Sequence, residues 1–193
     1  MEDIKETPLC KLAYKYRTDK CPKIKHVYTP FYYEMFKDKK ESIKKVLEVG
    51  IGFDDTMPHC GDEYQVGASL RMWRDFFPKA QVFGADISPK AIFQDDRIET
   101  FICDETKRCD IERLLKETGF DIDLIIDDAF HHYKTQTFLA KVILPLVDRG
   151  VTYIIEDISH TRTVSRALSK YKCYSPFLPN RKFRHGKLLV IKK

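Results

Sequence analysis

Val46-Leu47-Glu48-Val49-Gly50-Ile51-Gly52 reads as a buried strand running straight into a glycine turn. An apolar run without polar alternation needs cover on both faces, and two glycines let the following backbone approach a ligand closely. Four further runs repeat the pattern downstream, at residues 81–85, 98–102, 124–126 and 152–155. Helix-like segments lie between and after them, at 69–77, 89–93, 110–118, 135–146 and 162–170. Strands alternating with helices predict an α/β fold with a doubly wound, mostly parallel sheet. The tail breaks this rhythm. Residues 171–177 and 188–191 read as two strands forming a C-terminal antiparallel hairpin that closes one sheet edge.

Upstream, residues 1–40 are rich in aromatics (Tyr14, Tyr16, Tyr28, Phe31, Tyr32, Tyr33, Phe36), and Pro30 suggests a helix over 31–36. This stretch is expected to be a cap packed on a main domain at 41–193, one domain overall for 193 residues. Hydrophobic residues at 43% and charged residues at 33% describe an ordinary globular chain. The net charge of +5 is spread among interspersed lysines and acids, so charge alone does not call for a nucleic-acid partner. No run approaches the ~20 apolar residues of a membrane span, and residues 1–11 carry no apolar segment like a signal peptide. A cytoplasmic protein is expected. None of the six cysteines is spaced Cys-x-x-Cys, which argues against structural zinc and for free thiols. Cys103, in an apolar run, is expected to be buried. A homo-oligomer is compatible with everything in the sequence.

The glycine turn needs a ligand. A dinucleotide fingerprint would place a third glycine at Asp55 and begin a helix at once, whereas a polar stretch over 53–67 follows instead. No pyrophosphate cradle is present, and S-adenosylmethionine requires none. Asp86 ends the second strand, where a carboxylate can accept from both ribose hydroxyls or cap the helix after Pro89. Asp104 ends the third strand, suited to an adenine amino group, and Glu105 competes for that role. Ser69 stands where it can cap the next helix, whose positive N-terminus suits the carboxylate of a methionine moiety. Arg71 could serve the same end or simply face solvent.

Asp127-Asp128-Ala129-Phe130-His131-His132 follows the fourth strand and Glu156-Asp157 the fifth. Neighbouring strands lie about 4.8 Å apart, so four carboxylates are expected to converge. Uncompensated, they raise one another's pKa values, and a bound cation removes that cost. Carboxylate ligands select a hard ion, magnesium first and manganese second. The competing reading has some of these acids facing solvent or capping helices. A neutral imidazole at His131 can take a proton from a hydroxyl whose oxygen the metal activates, and His132 is the rival candidate.

Taken together, Tyr16-Arg17-Thr18-Asp19-Lys20, Tyr28-Thr29-Pro30, Leu47-Glu48-Val49-Gly50-Ile51-Gly52, Ser69-Leu70-Arg71-Met72-Trp73-Arg74-Asp75-Phe76-Phe77-Pro78, Ile126-Asp127-Asp128 with His131, and Ile155-Glu156-Asp157 resemble one known group. They are similar to the magnesium-dependent sugar O-methyltransferases of macrolide biosynthesis, and cephalosporin-hydroxylase-like proteins share much of the pattern. The likeness spans roughly residues 14–158. It implies the Rossmann-like sheet of class I S-adenosylmethionine-dependent methyltransferases. It also implies metal ligands at Asp128, Glu156 and Asp157 and a general base at His131 rather than His132. Cofactor contacts would fall on Glu48, Gly50, Gly52, Asp54, Ser69, Asp86, Asp104, Glu105 and Asp128. The acceptor it implies is a small molecule: a sugar, nucleotide sugar or glycoside. Two departures stand out. Ala129-Phe130 replaces the family's Gly-Ser, and the loop over 53–67 is longer than usual.

Two rival functions keep a foothold. Arg181-Lys182-Phe183-Arg184 and the net charge suggest an RNA-directed methyltransferase, although acids and histidines stand where a catalytic lysine is common, with Lys134 the nearest substitute. The Ala129-Phe130 change suggests a cofactor-binding protein without catalysis.

Overall fold

In the computed structural model, which describes residues 5–148, 150–179 and 186–193, β1 (Lys45–Val49) lies within an eight-stranded sheet. It pairs in parallel with β2 (Gln81–Asp86) on one side and β5 (Leu124–Asp127) on the other. Beyond β2 runs β4 (Ile98–Ile102), and beyond β5 runs β6 (Thr152–Ile155), both parallel. One edge ends in the two-residue β3 (Gln94–Asp95), antiparallel to β4. At the other edge β8 (Leu189–Lys192) runs antiparallel to β6, and β7 (Lys172–Tyr174) antiparallel to β8. The order is β3-β4-β2-β1-β5-β6-β8-β7. Strand order reverses at β1, so a crevice opens beyond the C-terminal ends of β1 and its neighbours, where ligands bind in such sheets.

The five parallel strands and the C-terminal hairpin agree with the sequence reading. The differences are local. The strand expected at 171–177 shortens to β7. The helix expected at 89–93 is a 3₁₀ turn, Pro89–Ala91, because Ile92 leaves helical geometry at φ −90°, ψ 125°. The basic stretch Arg181-Lys182-Phe183-Arg184 lies outside the described residues.

Side-chain alternation sends Val46, Val82, Leu124, Ile126 and Ile154 to one face of the sheet. That face is covered by α1 (Pro8–Lys15), α2 (Tyr28–Phe36) and α3 (Ala68–Phe76), through Leu9, Ala13, Tyr32, Phe36 and Trp73. Leu47, Val49, Phe83, Ile125 and Ile155 point the other way, against α4 (Arg108–Thr118), α5 (Tyr133–Leu146) and α6 (Thr161–Ala167). Each such side chain, fully buried, contributes roughly 1.5–3 kcal/mol.

The aromatic N-terminal stretch shares the first of these cores. Trp73 meets Tyr32 edge-on at 5.1 Å, and Phe36 meets Phe77 edge-on at 5.6 Å. α2 begins at Tyr28, three residues before the expected start, since Pro30 in its first turn has no amide that the helix would use. All six cysteines are free; Cys10, Cys21, Cys60 and Cys103 are buried. No helix among the described residues is long and apolar enough to cross a membrane.

Candidate active site

The glycine turn after β1 is held from β2. Asp86 Oδ2 accepts from the amides of Ile51 at 3.2 Å and Gly52 at 3.1 Å, and its Oδ1 accepts from Ser88 N at 2.9 Å. Capping of the next turn falls to Ser88, whose Oγ accepts from Lys90 N at 3.3 Å. Gly50 adopts φ +87°, and a Cβ there would strike the backbone of Asp128 and Ala129. Only glycine therefore lets β1 and the loop after β5 pass so closely.

Glu48 turns back toward α3, accepting from Ser69 Oγ at 2.7 Å and Trp73 Nε1 at 2.6 Å. Ser69 does not cap α3 as expected. Gly67, at φ 77°, holds the capping position, and Ser69 is a buried partner of Glu48. Arg71 is likewise committed, to the Val66 carbonyl and to Asp95 at 3.1 Å.

A crevice of about 540 Å³ opens over this turn. Of the sequence-predicted cofactor residues, it is lined by Glu48, Gly50, Gly52, Ser69, Asp86, Asp104, Glu105 and Asp128. Asp54 lies outside the lining, exposed on a 3₁₀ turn, Asp54–Thr56. Asp104 is held below the usual carboxylate range by hydrogen bonds from Thr106, whereas burial raises Glu105. Tyr64, unremarked in the sequence, also lines the crevice. Its hydroxyl is buried without a hydrogen-bond partner among the described residues, and burial raises its pKa. A buried orphan hydroxyl in a crevice of this size fits a polar small molecule.

At the ends of β5 and β6 the carboxylates divide. Asp127 turns away from the others, accepting from Tyr153 OH at 3.1 Å, and burial lifts its pKa to about 7. Asp128 and Glu156 converge on Lys20. Its Nζ lies 2.6 Å from Asp128 Oδ2, 2.7 Å from Glu156 Oε2 and 3.4 Å from Glu48 Oε1. Burial alone would lower the pKa of this lysine, but Asp128, Glu156 and Glu48 hold it well above normal. Repulsion among these carboxylates, which the sequence suggests a metal ion relieves, is already offset by the positive charge of Lys20. Glu156 also accepts from Tyr32 OH at 2.5 Å.

Asp157 sits apart from Lys20, at φ 47°. It accepts from Tyr28 OH, and His26 Nε2 lies 3.3 Å from its Oδ2. His131 bridges the two aspartates, with Nε2 3.1 Å from Asp128 Oδ1 and Nδ1 3.8 Å from Asp157 Oδ2. Burial lowers the His131 pKa, but its bond to Asp128 and the charges of Asp157 and Asp127 outweigh that and hold it at about 9. His132 instead occupies the capping position of α5, its ring 4.9 Å from that of Tyr133.

Asp128, His131 and Asp157 each offer a ligand atom, all within 4.8 Å of one another, and this hard oxygen and nitrogen donor set fits a divalent cation. Glu156, expected among the ligands, is not in that group, since Lys20 and Tyr32 engage its two oxygens.

No protein-family model matches the chain. Mycinamicin VI 2''-O-methyltransferase of Micromonospora griseorubida is 35% identical over 153 residues, 78% of this chain and 36% of that protein. The 3'-O-methyltransferase of 8-demethyl-8-(2-methoxy-α-L-rhamnosyl)-tetracenomycin C from Streptomyces olivaceus is 34% identical over 150 residues, again 78% and 36%. A solved structure of the methyltransferase MycE from the mycinamycin biosynthetic pathway, in complex with Mg, SAH and mycinamycin VI, superposes with a TM-score of 0.75 at 25% identity. That alignment covers 98% of this chain and 55% of MycE. The chain thus spans about a third of the length of the curated relatives it matches. Over the matched region, it is a homologue of the tetracenomycin and mycinamicin sugar O-methyltransferases.

Proposed function

We propose that the chain is an S-adenosylmethionine-dependent, magnesium-assisted O-methyltransferase acting on a hydroxyl of a sugar, nucleotide sugar or glycoside. The observation that carries this reading is His131, held by Asp128, which lines the glycine-turn crevice, and facing Asp157. Gly50 and Gly52 let the donor approach β1, Asp86 is suited to its ribose, and Asp104 or Glu105 to its adenine. Glu48 and Ser69 lie toward its methionine end. Asp128, Asp157 and, in exchange for its Lys20 pairing, Glu156 are the carboxylates that would hold magnesium, or manganese in its place.

When bound, the donor supplies a sulfonium methyl group and the metal ion acidifies the acceptor hydroxyl. His131 accepts the proton of that hydroxyl on a ring nitrogen as the oxygen attacks the methyl carbon. The carbon–sulfur bond breaks and its electron pair stays on sulfur. To act as a base His131 must first be neutral, which requires that Asp128 and Asp157 no longer face it as free carboxylates. Much of the rate gain would come from aligning acceptor oxygen and methyl carbon in the crevice.

The test is a methyl-transfer screen over nucleotide sugars and simple glycosides, run with magnesium and with EDTA. Transfer to at least one acceptor, lost in EDTA and restored by magnesium, is expected. A pure protein that neither binds S-adenosylmethionine nor methylates any acceptor would overturn the reading.

A further inference from the structure

Tyr64 belongs to the loop over 53–67, one of the two stretches in which the chain departs from the family it resembles. That loop is fastened to the segment leading to Lys20. Arg17 Nε donates to the Cys60 carbonyl at 3.0 Å, and His59 Nε2 lies 3.3 Å from Asp19 Oδ2. Tyr64 N donates to the Gly61 carbonyl at 3.0 Å, and the residue lines the crevice with Asp19, Lys20, Glu48 and Ser69. Asp104 and Glu105 line it past the end of β4, two strands away from Glu48 in the sheet. The Tyr64 hydroxyl is buried and has no hydrogen-bond partner among the described residues. Folded proteins seldom leave such a group unpaired unless something else meets it. Burial first, then Cys60, Asp54, Asp19 and Glu48, raise its pKa, so it stays a neutral phenol. Lys20, the cation at this part of the crevice, is engaged by Asp128 at 2.6 Å and Glu156 at 2.7 Å. An oxygen among carboxylates attracts a positively charged hydrogen-bond donor and keeps an anion away.

We propose that the Tyr64 hydroxyl holds the amino-acid end of S-adenosylmethionine, its oxygen accepting a hydrogen bond from the α-ammonium group. The inference rests on the proposed methyltransferase reading and assigns a residue of this chain's own loop to the donor. A hydrogen bond to a charged group is stronger than one between neutral groups. The phenol oxygen finds its partner only when the donor is bound. Removing it therefore costs binding and leaves folding untouched, since no bond within the protein is lost.

The full chain and its Tyr64→Phe variant are titrated by calorimetry, without acceptor, against S-adenosylmethionine, decarboxylated S-adenosylmethionine and methylthioadenosine. The first two carry the ammonium group, and the last lacks the whole amino-acid end. Tyr64→Phe is expected to weaken the first two by about fivefold or more and methylthioadenosine by less than about twofold. The melting temperature of the ligand-free protein should hold within about 1 °C. Equal affinity of wild type and variant for S-adenosylmethionine overturns the inference. So does an equal penalty on methylthioadenosine, which places the hydroxyl at the nucleoside or, with a lowered melting temperature, makes its role structural. A penalty that vanishes for the decarboxylated donor also overturns it, since the hydroxyl then meets the carboxylate. A wild type that binds none of these ligands overturns both the inference and the reading it rests on. The expected binding pattern in a protein that methylates no acceptor supports the Tyr64 contact while the enzymatic reading falls.

Discussion

Lys20 Nζ lies 2.7 Å from Glu156 Oε2, and both side chains are shut off from solvent. An ammonium and carboxylates buried together are costly to separate, because removing one partner strands the charge of the others. Lys20→Met is therefore predicted to lower the free energy of unfolding by about 3–5 kcal/mol, read from the urea midpoint without added metal. Magnesium should recover more stability in this variant than in the wild type, since the stranded carboxylates become ligands. An unchanged midpoint would show that Lys20 is not the counter-charge of the site.

Gly50→Ala tests the close passage of β1 and the loop after β5. At φ +87° with backbone in the path of a Cβ, the variant should lose about 2 kcal/mol or more of stability. Its donor affinity should fall too, since Asp128 and Ala129 line the same crevice. Thermal melts and calorimetry check both, and a variant that melts and binds like the wild type would remove the steric argument.

Asp75 ties α3 to the end of α1, accepting from Tyr16 OH at 2.5 Å and pairing with Arg74 and Lys15. Burial alone would raise its pKa, but Tyr16, Arg74 and Lys15 together lower it. A carboxyl with a depressed folded-state pKa adds stability above its unfolded pKa and loses it as pH falls toward the folded value. Asp75→Asn should therefore cost about 1 kcal/mol near pH 7, with the difference closing as pH drops below about 4. A penalty independent of pH would mean that packing, not charge, is what the variant loses.

The parallel strands were legible because both their faces are buried and their sequences show it. That the acids after β5 and β6 lie near one rim followed from topology, since the two strands are neighbours; that Asp127 turns away to Tyr153 did not, and the residues alone left His131 and His132 as rivals. Lys20 was not legible as the counter-charge. It lies 108 residues from Asp128 in the chain and arrives only when α1 and α2 pack on α3. The reading of Ser69 as a cap failed because a local rule met a tertiary demand, the buried Glu48 carboxylate. α1 carries a local signal of its own, since Thr7 caps it and Pro8 opens it. Tyr64 gives no local cue, since nothing in the 53–67 loop shows which side chain turns inward.

If His131 is the base of the methyl transfer, His131→Ala separates turnover from donor binding. With labelled S-adenosylmethionine, magnesium and an accepted glycoside, turnover should fall by about 10²-fold or more while the donor Kd stays close to that of the wild type. Comparable turnover in the variant would exclude His131 as the base.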